Sequence, residues 1–218
     1  MLASNSASSL PPMDQNNRST EFQQLLSEAR SGNMSALGRL LEWYVNYLTI
    51  LATTGLDRRI QRRVSPSDLV QEAMLAAHRD FGDFRGQSQG ELLCWLRQIL
   101  INTLHRTVAR HVKAGKRDIR REVSIDEVTR QLEESACRLA NLLPARGDSP
   151  SAAIQAREDS VGMANQLSKL PPQYREVITL RILQSLSFEE IGEQMGRSAG
   201  AARMLWLRAL QAFKPHVE

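Results

Sequence analysis

Between Leu170 and Phe213 the chain reads LPPQYREVITLRILQSLSFEEIGEQMGRSAGAARMLWLRALQAF, and the punctuation of that stretch leaves few ways to fold it. Pro171 and Pro172 open a helix carrying Tyr174, Val177, Ile178 and Arg181; a first turn tolerates proline because its amide hydrogen has no partner there anyway. Ser187 and Glu190 then stand in the Ser-x-x-Glu arrangement, in which hydroxyl and carboxylate satisfy reciprocal orphan amides at a helix start. Ile191 and Met195 fall on the inner face of that helix, Gly192 leaves room for a crossing neighbour, and Gly196 suits a left-handed turn residue. Ser198 can cap a last helix whose Ala202, Leu205, Trp206 and Ala209 repeat at core spacing. The spacing predicts a helix-turn-helix whose second helix can enter a DNA major groove by its N-terminal end. A plain packing hairpin shares the glycine turn, but Arg203 and Arg208 lie off the apolar stripe and favour the DNA-facing reading.

The rest of the chain is also helical in pattern. Glu21 to Ala29 and Met34 to Leu51 carry apolar residues three and four apart, among them Leu37, Leu40, Leu41, Tyr44, Val45 and Leu48. A basic patch, Arg58, Arg59, Arg62 and Arg63, precedes Ser65-Pro66-Ser67-Asp68, which offers an N-cap, a proline at the first helical position and an acid. The helix it opens sets Leu69, Val70, Ala73, Met74 and Ala77 on one side, leaves Asp68, Glu72, Arg79 and Asp80 on the other, and ends near Phe81-Gly82. A polar loop from Phe84 to Gly90 leads to a long helix from about Glu91 through Leu92, Trp95, Leu96, Ile99, Leu100 and Leu104, with Trp95 expected in the core. No pair of strands with a turn between them is evident. The expected fold is all-α: two helical domains joined by a flexible linker, with the helix-turn-helix at the C-terminal end. Residues 1–19 read as a disordered lead, 20–114 as the first domain, 115–162 as the linker and 163–218 as the second domain.

Net charge over the 218 residues is only +4, but it is unevenly placed. Arg106, Arg110, Lys113, Lys116, Arg117, Arg120 and Arg121 face a single acid, Asp118, which implies a polyanionic partner or a solvated segment. The first twenty residues have neither a basic start nor an apolar core, so no signal peptide is expected, and no apolar run is long enough for a bilayer. Cys94 and Cys137 stand apart and read as reduced thiols of a cytoplasmic protein. His78, His105, His111 and His216 share no ligand spacing with them, so neither a metal nor another cofactor is expected. Paired catalytic carboxylates, a nucleophile with its base and a phosphate loop are all missing from the pattern, which argues against an enzyme and a small-molecule substrate.

SPSDLVQEAMLAAHRDFGDFRGQ (Ser65 to Gln87), ELLCWLRQILINTLHRTVARH (Glu91 to His111) and Leu170 to Phe213 together resemble a sigma factor of the sigma-70 superfamily, in its short extracytoplasmic-function type. RREVSID, Arg120 to Asp126, is similar to a subset of the same factors. The first two stretches resemble region 2 and the last region 4. The resemblance implies a protein that binds core RNA polymerase, directs it to two promoter DNA elements, assists melting, and has no catalytic chemistry. It implies that Asp68, Glu72 and Asp80 dock on the polymerase. The −10 element would be met by Phe84, Arg85, Gln87 and Ser88 as a base pocket, with Arg97, Asn102, Arg106 and Arg110 along the opened strand; simple core packing is the other reading of Phe84. The −35 duplex would be met by Ser198, Gly200, Arg203 and Arg208, with Ala199, Gly200 and Ala201 keeping the helix start slim enough to approach phosphate. An anti-sigma protein is a further partner of the type, and no residue here identifies one. The sequence departs from the family at Ala202 and Leu205, where β-branched and basic residues are usual, and Met204 to Leu207 is an unusually apolar run. A helix-turn-helix repressor or response regulator, and a helical scaffold, are the competing readings.

Overall fold

The computed structural model describes residues 15–55, 64–113, 125–141 and 150–213, and among these every regular element is helical. In chain order they are α1 (Gln15–Arg30), α2 (Met34–Glu42), α3 (Val45–Gly55), α4 (Pro66–Asp80), a 3-10 turn (Phe81–Asp83), α5 (Gln89–Lys113), α6 (Ile125–Ala140), α7 (Pro150–Ser168), α8 (Pro172–Ile178), a π turn (Thr179–Leu183), α9 (Phe188–Met195) and α10 (Ala199–Ala212). The arginines at 58, 59, 62 and 63, the basic run from Lys116 to Arg121 and most of the expected N-terminal lead lie outside the described residues.

Contacts divide the chain into Met1–Leu40 and Leu41–Glu218. In the first unit Phe22, Leu25, Leu26 and Ala29 of α1 and Ala36, Leu37 and Leu40 of α2 are buried. Asn33 caps α2 by accepting from the Ser35 and Ala36 amides, both at 3.1 Å. The helical spacing read from Met34 to Leu51 falls on two helices, with a break at Trp43 and Tyr44 where α2 gives way to α3. Periodicity alone hides such a break, because apolar spacing continues through it.

In the second unit α3 packs on α4, α6 and α7, and α4 packs on α5. Tyr44, Tyr47, Leu48 and Leu51 meet this core from one side, and Leu69, Val70, Ala73 and Ala77 enter from α4, as the one-sided pattern predicts. The linker expected over 115–162 is not bare chain where it is described. Ile125–Ala140 forms a helix that buries Val128, Leu132, Ala136 and Leu139, and the following helix begins at Pro150. α6 packs on α3 and the π turn, and α7 on α3 and α5. The division between the two halves is therefore bridged by packed helices, held also by polar contacts: Asn46 Nδ2 donates to Asn165 Oδ1 at 2.8 Å, Gln184 Nε2 to the Thr54 carbonyl at 3.1 Å, and Arg138 to the Leu183 carbonyl at 2.7 Å. The four apolar positions of α6 sit in a strongly charged sequence, which masks its amphipathic face from a reading by composition.

Candidate nucleic-acid interface

The helix-turn-helix forms as its residues require. Ser187 Oγ accepts from the Glu190 amide at 3.2 Å, while Glu190 Oε2 accepts from the Ser187 amide at 2.7 Å, a complete capping box for α9. Gly196 closes α9 at φ 64°, ψ 39°, in the left-handed region that a residue with Cβ enters at a cost. At Gly192 a Cβ would lie 2.7 Å from the Arg197 carbonyl oxygen and 3.1 Å from the Ala199 amide nitrogen, so a bare backbone is what lets the turn into α10 close. Ser198 Oγ then accepts from the Ala201 amide at 3.2 Å and caps α10. Ile191, Ala202, Leu205, Ala209 and Phe213 are buried beneath, while Trp206, expected in the core, is only half-buried.

These contacts make α9 pH-sensitive. The Ser187 amide, and after it the Ser187 hydroxyl, hold the Glu190 carboxyl below the usual carboxylate range. A lowered folded-state value means stabilisation that is complete above the unfolded value and is lost as pH falls through the folded one. In thermal melts from about pH 7 to pH 3, wild type is expected to lose its advantage over Glu190→Gln below roughly pH 4.3. A gap independent of pH would sink that assignment. Ser187→Ala is expected to cost about 1 kcal/mol at neutral pH.

Of the residues expected at the −35 surface, Ser198, Gly200, Arg203 and Arg208 are all exposed. The Arg203 guanidinium stands 5.5 Å over the Phe188 ring, and Arg181 stands over the same ring at 4.8 Å. Arg203 is thus steered by an aromatic face while keeping its charge at the surface.

The first-half surface differs more from expectation. Phe84 is buried, its ring 5.2 Å from Trp95 and 6.0 Å from Phe81, so it supports the loop rather than lining a base pocket. Trp95 itself is half-buried, edge-on to Phe81 at 6.3 Å. The Ser88 hydroxyl is also engaged: Glu91 Oε2 accepts from it at 2.9 Å, and from the Gln87 and Ser88 amides at 2.8 and 2.9 Å. Ser88 Oγ accepts in return from the Glu91 amide at 3.2 Å. This is a second Ser-x-x-Glu clasp, at the start of α5, and its three donated bonds hold the Glu91 carboxyl below the usual range. Sequence reading missed Glu91, although the pattern is the one recognised at Ser187. The Arg85 guanidinium turns back onto the Gly82 carbonyl, and the Gln87 side chain remains at the exposed surface.

Along α5, Asn102, Arg106 and Arg110 fall on one exposed stripe four residues apart, begun by Gln98, whose amide donates to Asn102 Oδ1 at 3.1 Å. Arg97, nine residues before Arg106, points about 180° away from it at 100° per residue; it is half-buried beside the Cys94 sulfur, 4.0 Å off, and does not join the stripe. Glu72 and Arg110, expected to meet different partners, meet each other at 2.5 Å. Asp80 is held by Arg79 through two bonds of 2.7 and 2.8 Å; that bonding, aided by the more distant Arg106, pulls its carboxyl below the usual range. Asp68 is exposed. A cleft of about 690 Å³ between α4 and α5 brings Glu72, Arg79, Arg106 and Arg110 around the exposed Leu75, which sequence reading did not single out. These ion pairs are at the surface, where such pairs contribute little. Among the described residues no cluster of His, Cys, Asp or Glu could hold a metal ion, and no helix is long and apolar enough to cross a membrane.

Known proteins resemble this chain in sequence. Residues 162–213 match the family model of sigma-70, region 4. The chain is 28% identical over 193 residues to the ECF RNA polymerase sigma factor BldN of Streptomyces coelicolor, covering 88% of this chain and 64% of that one. It is 28% identical to the RNA polymerase sigma-H factor of Pseudomonas aeruginosa, covering 87% of this chain and 90% of the relative, and 28% identical to the ECF RNA polymerase sigma-E factor of Escherichia coli, covering 90% and 94%. The chain thus spans slightly under two thirds of BldN's length and nearly all of the other two. With residues 162–213 matched by region 4 and the alignments running on through the α4–α5 half, the comparisons support a sigma factor of the sigma-70 family, of the extracytoplasmic-function type.

Proposed function

We propose that this protein binds core RNA polymerase and directs it to promoters, with residues 20–114 serving the polymerase and the −10 element and residues 163–218 serving the −35 element. The observation that carries the reading is the pairing of a fully capped helix-turn-helix with a second cationic surface, the Asn102–Arg106–Arg110 stripe. Both surfaces are exposed. Asp68, Glu72 and Asp80 are the polymerase-facing acids in this reading, with Leu75 an apolar contact among them. Arg85, Gln87, Asn102, Arg106 and Arg110 meet the opened −10 strand, supported from within by Phe84 and Ser88. Ser198, Gly200, Arg203 and Arg208 meet the −35 duplex. The partners are core polymerase and promoter DNA in the cytoplasm, with an anti-sigma protein as the restraining partner; the protein supplies no catalysis and uses no cofactor.

Co-elution with core polymerase and run-off transcription from a specific promoter test this directly. A protein that shifts duplex DNA alone and starts no transcript would be a repressor instead. Arg106→Gln with Arg110→Gln should lower the slope of log affinity against log salt for open-complex formation by about 0.7 per lost strand phosphate contact. An unchanged slope would assign these arginines to the α4–α5 cleft alone.

A further inference from the structure

The recognition helix presents an outward line with no charge on it. Ala202, Leu205, Trp206 and Ala209 define the packed side of α10. At about 100° per residue, Gly200, Met204, Leu207 and Gln211 lie within about 30° of the opposite direction, and Arg203 and Arg208 stand about 70° to either side. Met204 is 51% exposed and Leu207 46%. A Cβ at Gly200 would meet nothing within 4 Å, so the helix start beside Met204 is unobstructed. The flanking Arg203 is drawn sideways over Phe188, 5.5 Å from the ring centre. Up to Gln211, therefore, the side chains aimed straight out from this helix can neither donate nor accept a strong hydrogen bond.

Resting on the −35 assignment above, we infer that Met204 and Leu207 are specificity-determining residues that read the 5-methyl groups of thymines in the −35 duplex. The major-groove edge of a base pair offers donors, acceptors and one apolar group, the thymine methyl. An apolar line facing donors and acceptors would strip them of water without replacing their bonds, which is unfavourable. Facing methyls, the same line buries apolar area at no such cost. The arginines on both flanks complement the two phosphate backbones bordering a groove, which selects DNA over an uncharged protein groove as the occupant. Arg203 and Arg208 then position the helix, and the apolar line between them chooses the sequence.

The test uses the full chain with core polymerase and a duplex library randomised across the upstream half of the promoter. The retained site is remade with deoxyuridine for thymidine, removing only the methyls. Wild type should select thymines and bind the uracil form about fourfold more weakly for each methyl contacted. Met204→Ala and Leu207→Ala should bind the two forms with more nearly equal affinity. Both side chains are about half exposed, so the variants should melt with wild type. A selected site without thymines, or one whose uracil form weakens wild type and both variants alike, overturns the methyl contact and leaves the −35 assignment standing. A library returning no preferred sequence overturns the −35 assignment and this inference with it. Weaker retention of the variants on polymerase, with wild-type duplex selection, would give this face to a protein and overturn the inference.

Discussion

Gly192→Ala is expected to lower the melting temperature and to remove most −35-dependent transcription, although it adds a single methyl group. That methyl would fall 2.7 Å from the Arg197 carbonyl oxygen. The obstacle is backbone, which cannot rotate away like a side chain, so the turn between α9 and α10 must open. Overpacking of this kind costs about 1–3 kcal/mol, and the displacement falls on the Ser198 cap and the start of α10. Gly38→Ala is the matched control: it lies within α2, a Cβ there would meet nothing within 4 Å, and alanine should stabilise the helix by up to about 1 kcal/mol. Opposite signs at the two positions, by thermal melting, are the expected result. A Gly192→Ala protein that melts and transcribes like wild type would show that the two helices need no such close approach.

Arg203→Ala is expected to reduce promoter-directed transcription about tenfold at unchanged co-elution with core polymerase, the loss of one charge-assisted contact of about 1–2 kcal/mol. Its placement over Phe188 argues for phosphate rather than base edge, so the deficit should be similar across −35 sequences. The slope of log affinity against log salt should become shallower by about 0.9. Loss of polymerase binding in parallel would make Arg203 a structural residue of α10. A deficit confined to guanine-containing sites would make it a base reader.

The helix-turn-helix was legible because its signals are local. Ser187, Glu190, Gly196 and Ser198 each act on amides or dihedrals within a few residues of themselves, so their spacing fixes the shape they make. The α4 face was legible for the same reason: one-sided periodicity is a property of a single helix. What sequence reading lost depends on partners far along the chain. Arg110 meets Glu72 thirty-eight residues away, which no local pattern encodes. For Phe84 the sequence left base pocket and core packing both open, and the approach of Trp95 from the next helix decides for core. The burial of α6 against α3 and the π turn likewise turns an expected linker into packed helix. Glu91 is the exception, since Ser88 and Glu91 carry the very spacing read correctly at Ser187.

The two serine–glutamate clasps also sort the helix starts electrically. α5 and α9 each begin with a carboxylate folded over their first amides, which cancels much of the partial positive charge gathered there. α10 is capped by an uncharged hydroxyl and has no acid in its first turn. Of these three beginnings it alone keeps its full pull on an anion, so negative charge near the second half of the protein is disfavoured at the helix that props the turn and favoured at the one beside it.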